Sequence, residues 1–164
     1  MLALVAIVST ALALASSAAA DLIAPGVATH FFSTQNPSLL FAPSSAVAGA
    51  TLQAANPGDG SASDITALTP VKGSGTPTQI TLGDLCVSAN GVEPGTATQV
   101  LKMADCDSND PKQLWIVLGQ VSNADGNCVT LGRAAKGVDI TLSPCSDDLK
   151  SKQSWEPFPA KIGA

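Results

Sequence analysis

Two stretches of this chain repeat one another in phase, and a chain built that way must fold by packing copies of one supersecondary unit. In the first, Leu85-Cys86-Val87 leads to Leu101-Lys102-Met103-Ala104-Asp105-Cys106 and then to Gln113-Leu114-Trp115. In the second, Asn127-Cys128-Val129 leads to Ile140-Thr141-Leu142-Ser143-Pro144-Cys145 and then to Gln153-Ser154-Trp155. The landmarks recur at 42, 39 and 40 residues: Cys86 to Cys128, Cys106 to Cys145, and Trp115 to Trp155. All four cysteines and both tryptophans fall inside the pattern.

Residues 1–20 are uncharged and mostly apolar, and they end in Ala18-Ala19-Ala20. Small residues at the end of such a run mark a signal peptide cut just before Asp21. No Lys or Arg precedes the run, and a membrane anchor is the competing reading, since the length is about enough to span. The alanine ending and the polar Ser9, Thr10, Ser16 and Ser17 favour the signal. The expected product is secreted and extracellular, with no membrane association once the signal is removed. It has an N-terminal arm at 21–29 and one domain at 30–160.

That domain has few large side chains: the chain holds two Trp, four Phe and no Tyr, and much of its apolar content is alanine. Cross-links must then carry more of the stability. Four cysteines in a secreted chain imply two disulfides, with three possible connectivities. The repeat selects among them, because each unit should close on itself: Cys86 with Cys106, and Cys128 with Cys145. Each bond closes a loop of about 20 residues and restricts the unfolded chain by roughly 3 kcal/mol. The net charge of −5, with no basic cluster, argues against nucleic acid and anionic lipid as partners.

Downstream of the signal the periodicity is that of strands. Leu101 and Met103 flank Lys102, and Val138, Ile140 and Leu142 alternate with Asp139 and Thr141. Turn pairs punctuate the runs: Asn90-Gly91, Pro94-Gly95, Asp125-Gly126 and Lys136-Gly137. Residues 56–64 and 73–78 are rich in Gly, Ser, Pro and Thr and resemble linkers. Two units close poorly alone, however, and a fainter third copy precedes them. Pro37-Ser38-Leu39-Leu40-Phe41 aligns with Gly83-Asp84-Leu85-Cys86-Val87, and Ala50 to Ala55 aligns with Ile140 to Cys145. On that alignment Leu40 and Ala55 replace the cysteine pair, and Ile65 stands where the tryptophans stand.

Units of about 40 residues, two of them with a cysteine pair and a Gln-x-Trp, resemble the ricin B-chain lectin family. The resemblance covers roughly residues 30–160 and is tight over 84–158. It implies an all-β fold, a β-trefoil of three repeats at about 30–80, 81–120 and 121–160, the first degenerate. It also implies structural roles for Gln113, Trp115, Gln153 and Trp155: the indoles in the core, the glutamines satisfying backbone groups at the hairpins. A family sugar pocket uses an acid two places after the first cysteine and a ring two places before the second. A polar side chain four places before that second cysteine and an Asn-Gln pair ahead of the Trp complete it. Here those positions hold Ser88, Ala104, Lys102, Lys112 and Gln113 in the second unit. In the third they hold Thr130, Ser143, Thr141, Lys152 and Gln153, and in the first Ala42 sits at the acidic place.

Other constellations are thinner. Asp105 to Asp110 opens like a calcium loop but has Asp110 where glycine is needed and Ile116 where the closing glutamate belongs. His30 is the single histidine, with no nucleophile motif beside it, and one histidine with oxidised cysteines gives no metal ligand set. No cofactor, metal site or catalytic residue is expected. Asn36-Pro37-Ser38 is barred from N-glycosylation by its proline, while 44–63 and 73–81 could carry O-linked sugars. The expected function is a secreted, non-enzymatic lectin-like domain whose ligand contacts come from the loops after the second cysteines. Those are Asp107, Asn109 and Lys112 in one unit, and Asp147, Asp148 and Lys152 in the other. The alternative is a protein-binding β-trefoil, such as an inhibitor of a secreted hydrolase. The partners are accordingly glycans or an extracellular protein.

Overall fold

Alternating apolar residues, bounded by turns, fold this chain into short strands. The computed structural model describes residues 23–57, 63–92 and 99–160. The signal segment, the Pro94-Gly95 pair and residues 58–62 lie outside the described residues. Among the described residues twelve strands run in three successive sets of four. The first set is β1 (Thr29–Ser33), β2 (Leu40–Pro43), β3 (Leu52–Ala55) and β4 (Thr69–Pro70). The second is β5 (Ile80–Leu82), β6 (Leu85–Val92), β7 (Gln99–Asp105) and β8 (Ile116–Val117). The third is β9 (Val121–Ser122), β10 (Asn127–Thr130), β11 (Thr141–Pro144) and β12 (Trp155–Pro159). Two single-turn helices, α1 (Ser63–Thr66) and α2 (Lys150–Gln153), lie before the last strand of the first and third sets. Among the described residues no helix is long and apolar enough to cross a membrane.

One sheet has the order β12-β1-β2-β3 and the other β4-β5-β6-β7-β11-β10-β9-β8, and among the described residues these strands pair antiparallel. Backbone bonds join the sets to one another around a common axis. Ile140 N–H donates to Leu52 C=O at 2.8 Å, Leu101 N–H to Ile140 C=O at 3.1 Å, and Met103 N–H to Ala50 C=O at 2.8 Å. The fold is a β-trefoil. The stretch at 73–78, linker-like in composition, is docked: Gly75 N–H donates to Val117 C=O at 3.0 Å, and Ser74 Oγ accepts from Ile23 N–H at 2.7 Å.

The register corrects the alignment of the first unit. Phe41 pairs with Ala54, as Val87 does with Met103 and Val129 with Leu142. Leu52 therefore matches Leu101 and Ile140, and Ala55 matches Ala104 and Ser143. The place of the second cysteine falls to Pro57, two residues beyond Ala55. Leu68, not Ile65, takes the tryptophan place, because Leu68 exchanges backbone bonds with Thr29 as Trp115 does with Thr78. Thr66 then stands where Gln113 and Gln153 stand. Common residues gave the sequence alignment nothing to fix its phase, whereas the ladder leaves one choice.

The corrected register shows how an indole-free unit fills its share of the core. Matching positions are buried in layers: Phe31, Ile80 and Val121; Phe41, Val87 and Val129; Leu68, Trp115 and Trp155. Where the tryptophan is reduced to leucine, the other two layers gain phenylalanine. Phe31 stacks on Phe41 at 4.9 Å between ring centres, and Phe41 meets Trp155 edge-on at 4.9 Å. Ring volume has moved between layers, keeping the interior filled.

The Asn90-Gly91 pair, expected as a turn, lies inside β6, where the register slips between Ser88 and Gly91. Glycine is needed there for close approach to β7. A Cβ at Gly91 would collide with the Val100 carbonyl oxygen and stand 3.0 Å from Val100 Cγ2 and 3.1 Å from Lys102 Cγ. Gly91→Ala should therefore cost about 1–3 kcal/mol through forced separation of β6 and β7. Urea denaturation monitored by circular dichroism will measure it, and an unchanged midpoint would contradict the close approach. Asp125-Gly126 does form a turn, with Gly126 at φ 76°.

Candidate functional site

The cysteine pairs hold the base of the two loops expected to bind ligand. Cys86 is bonded to Cys106 and Cys128 to Cys145, as the repeat predicts. Each loop then leaves its hairpin at a fixed point, and a glutamine clamps that point. Gln113 accepts from Asp107 N–H at 2.9 Å and donates to Asp105 C=O at 2.9 Å, gripping both neighbours of Cys106. Gln153 accepts from Ser146 N–H at 3.0 Å and donates to Pro144 C=O at 3.0 Å, gripping both neighbours of Cys145. Two residues on, each indole is buried and donates to a strand carbonyl: Trp115 Nε1–H to Val87 and Trp155 Nε1–H to Val129, both at 2.9 Å. Buried amides held this way hold the loop base rigid.

Within the first loop, Asp107 is exposed and its Oδ1 accepts from Asn109 N–H at 2.9 Å. Asp110 caps the 3₁₀ turn Pro111–Gln113 through Lys112 N–H at 2.9 Å, and its other oxygen accepts from Asn90 Nδ2 at 3.1 Å. Asn109 and Lys112 are exposed. The Asn90–Asp110 pair was not among the expected site residues; Asn90 looked like a turn former, and only the bulge in β6 brings it to this loop. In the second loop Ser146 Oγ caps Asp148 N–H at 3.2 Å. Asp147 and Asp148 are exposed, and among the described residues nothing donates to either carboxylate. Lys152 is half-buried, its carbonyl accepting from Leu131 N–H at 2.9 Å.

The usual sugar positions are closed. At the acidic place Ala42 is 1 % exposed, Ser88 0 % and Thr130 5 %. In the third unit Thr130 and Ser143 hydroxyls lie 2.7 Å apart and both accept from Gln153 Nε2. Thr130, Ser143 and Gln153 thus form an internal network that is satisfied without ligand. At the ring place stand Ala55, Ala104 and Ser143, none of them aromatic. His30 matches Gln79 in the register; its Nε2 lies 3.3 Å from Thr66 Oγ1, as Gln79 donates to Gln113 at 3.1 Å. Burial lowers the His30 pKa below the ordinary 6.5, so the imidazole is neutral at neutral pH. Among the described residues no three His, Cys, Asp or Glu side chains gather to hold a metal.

Three hairpin units, two disulfides and buried indoles make up a β-trefoil, a fold that solved lectins share. No protein-family model and no curated protein sequence matches the chain. Solved structures do match. A mosquitocidal holotoxin superposes over 84 % of this chain at a TM-score of 0.69 and 12 % identity, and the chain spans 18 % of that protein's length. The β-trefoil lectin of the Vibrio vulnificus hemolysin/cytolysin, solved with N-acetyl-D-lactosamine, has a TM-score of 0.61 and 14 % identity. That match covers 84 % of this chain and 98 % of the lectin. The C-half of an earthworm R-type lectin, in complex with GalNAc, gives 0.59 and 12 % over 81 % of this chain and 98 % of its own. At such identities the likeness is one of fold.

Proposed function

We propose that the chain is a secreted, non-enzymatic lectin-like domain that binds carbohydrate. The observation that supports this most is the shared fold with lectins solved around N-acetyl-D-lactosamine and GalNAc, combined with exposed carboxylates on rigid loop bases. Carboxylates suit paired sugar hydroxyls, since hydrogen bonds to an ionised acceptor are the stronger kind. Among the described residues the Asp147 and Asp148 carboxylates have no partner to give up, and Asp107 keeps an oxygen beyond the one that holds Asn109 N–H. Lys112 and Lys152, each next to a clamping glutamine in sequence, supply donors, and Asn109 supplies both a donor and an acceptor.

A glycan array probed with the purified chain tests this reading. Asp147→Ala should weaken the strongest signal by about tenfold, the loss of one charge-assisted hydrogen bond. Asp107→Asn should weaken it while still accepting from Asn109 N–H, which separates ligand contact from loop collapse. Silence across the array, with retention of a secreted hydrolase on the immobilised chain, contradicts the reading and favours the protein-binding alternative.

A further inference from the structure

Of the chain's four Phe and two Trp, Phe31, Phe41, Trp115 and Trp155 are at most 1 % exposed. The two remaining rings reach the surface together. Phe158 is 45 % exposed, and Phe32 meets it edge-on at 5.6 Å between ring centres. They share a face because β1 and β12 pair with His30 opposite Phe158 and Phe32 opposite Glu156. Residues two apart on a strand point the same way, so these four side chains form one outward patch. The His30 ring extends it, edge-on to Phe32 at 5.9 Å. Phe32, Pro37, Glu156 and Phe158 line a depression of about 320 Å³, within the range of small-ligand sites. Glu156 is exposed, and among the described residues nothing donates to its carboxylate.

We propose that this face of the β1–β12 pair is a sugar subsite that takes one neutral pyranose. The ring of Phe158 stacks on the apolar C–H face of the sugar, Phe32 and Pro37 form the wall, and Glu156 accepts from its hydroxyls. The juxtaposition selects this occupant over others. A purely apolar partner would desolvate the Glu156 carboxylate with nothing to pair it. An added strand finds no free donors at the edge. Ala160 N–H donates to Ala28 C=O at 2.8 Å, so with the antiparallel alternation Pro157 and Pro159 occupy the positions turned away from β1. Those positions carry no N–H, which closes the edge to pairing. A ring and a carboxylate side by side suit the apolar face and the hydroxyls of a sugar together, and this is the surface where the chain provides both. The inference takes only the ligand class, carbohydrate, from the preceding reading and none of its loop residues.

Saturation-transfer NMR on the full purified chain, with galactose, N-acetylgalactosamine, glucose and mannose offered separately, tests it. At least one sugar should receive saturation, strongest at its ring C–H protons. Phe158→Ala and Glu156→Gln should each weaken that binding about tenfold, and Phe158→Trp should tighten it. Val47→Ser, at a site 58 % exposed, should leave it unchanged. Near-ultraviolet circular dichroism from the buried indoles confirms that each variant is folded, and among the described residues the Glu156 carboxylate has no hydrogen bond to lose. Full transfer in folded Phe158→Ala, with loss in Asp107→Asn or Asp147→Ala, overturns this inference and leaves the loop reading standing. Loss in Phe158→Ala and Glu156→Gln alone supports it and counts against the loops. No transfer from any of the four sugars in the unaltered chain overturns it, while the array still decides the loops.

Discussion

Trp155→Ala should destabilise the domain by about 3–5 kcal/mol, the range for deleting a large ring from a close-packed core. Three separate losses add up here. The indole is 1 % exposed, so its removal opens a cavity beside Phe41, whose ring meets it at 4.9 Å. Its Nε1–H is the partner of the Val129 carbonyl at 2.9 Å, and that acceptor would be left dry. Phe41 also stacks on Phe31, so the disturbance reaches the first unit. Trp155→Phe keeps most of the volume and loses the hydrogen bond, and should cost about 1–3 kcal/mol. Urea unfolding of both variants gives the comparison. Equal, small losses would mean that the indole is not the packing centre described here.

Removing either disulfide by paired Cys→Ala substitution should cost about 2–4 kcal/mol, and removing both about twice that. The second figure is comparable to the whole stability of an ordinary domain, about 5–15 kcal/mol. The bonds close separations of 20 and 17 residues, so their chain-entropy contributions should be nearly equal. They also share a local role, because each anchors the residue that a glutamine clamps from both sides. Denaturation midpoints with and without reductant will test the magnitude. Peptide mass mapping will test the pairing, and a Cys86–Cys128 linkage would contradict it.

The second and third units were readable in the sequence because their landmarks are chemically rare. Cysteine, tryptophan and an in-phase glutamine can be matched across 40 residues without coordinates; the disulfides followed from the repeat, and the β-trefoil from the family resemblance that those landmarks carry. The first unit offered leucine, alanine and isoleucine, which match anything. Its register needed the backbone bonds of Leu68 to Thr29 and the pairing of Phe41 with Ala54. The sequence also hid the reason the first unit tolerates losing its indole, since Phe31 and Phe41 compensate from other strands. Gly91 was misread for a related cause: a glycine that admits a neighbouring strand looks like a glycine that turns the chain. The expected loop residues reach the surface, with the Asp147 and Asp148 carboxylates unengaged among the described residues, whereas Asn90 joins its loop only through a bulge. The surface patch of Phe32, Glu156 and Phe158 joins residues more than a hundred positions apart, brought together only when the last strand pairs with the first.

Whether the first unit closes the same barrel as the other two is what native-state hydrogen exchange tests most directly. The amides of Ala54 and Leu68 in the first unit, Leu101 and Trp115 in the second, and Leu131 and Ile140 in the third each donate to a named backbone carbonyl at 3.1 Å or less. If all three units close one barrel, these six should exchange through the same opening, with one free energy equal to that of global unfolding. Rapid exchange at Ala54 and Leu68, beside strong protection at the other four, would mean that the first unit is not part of the barrel.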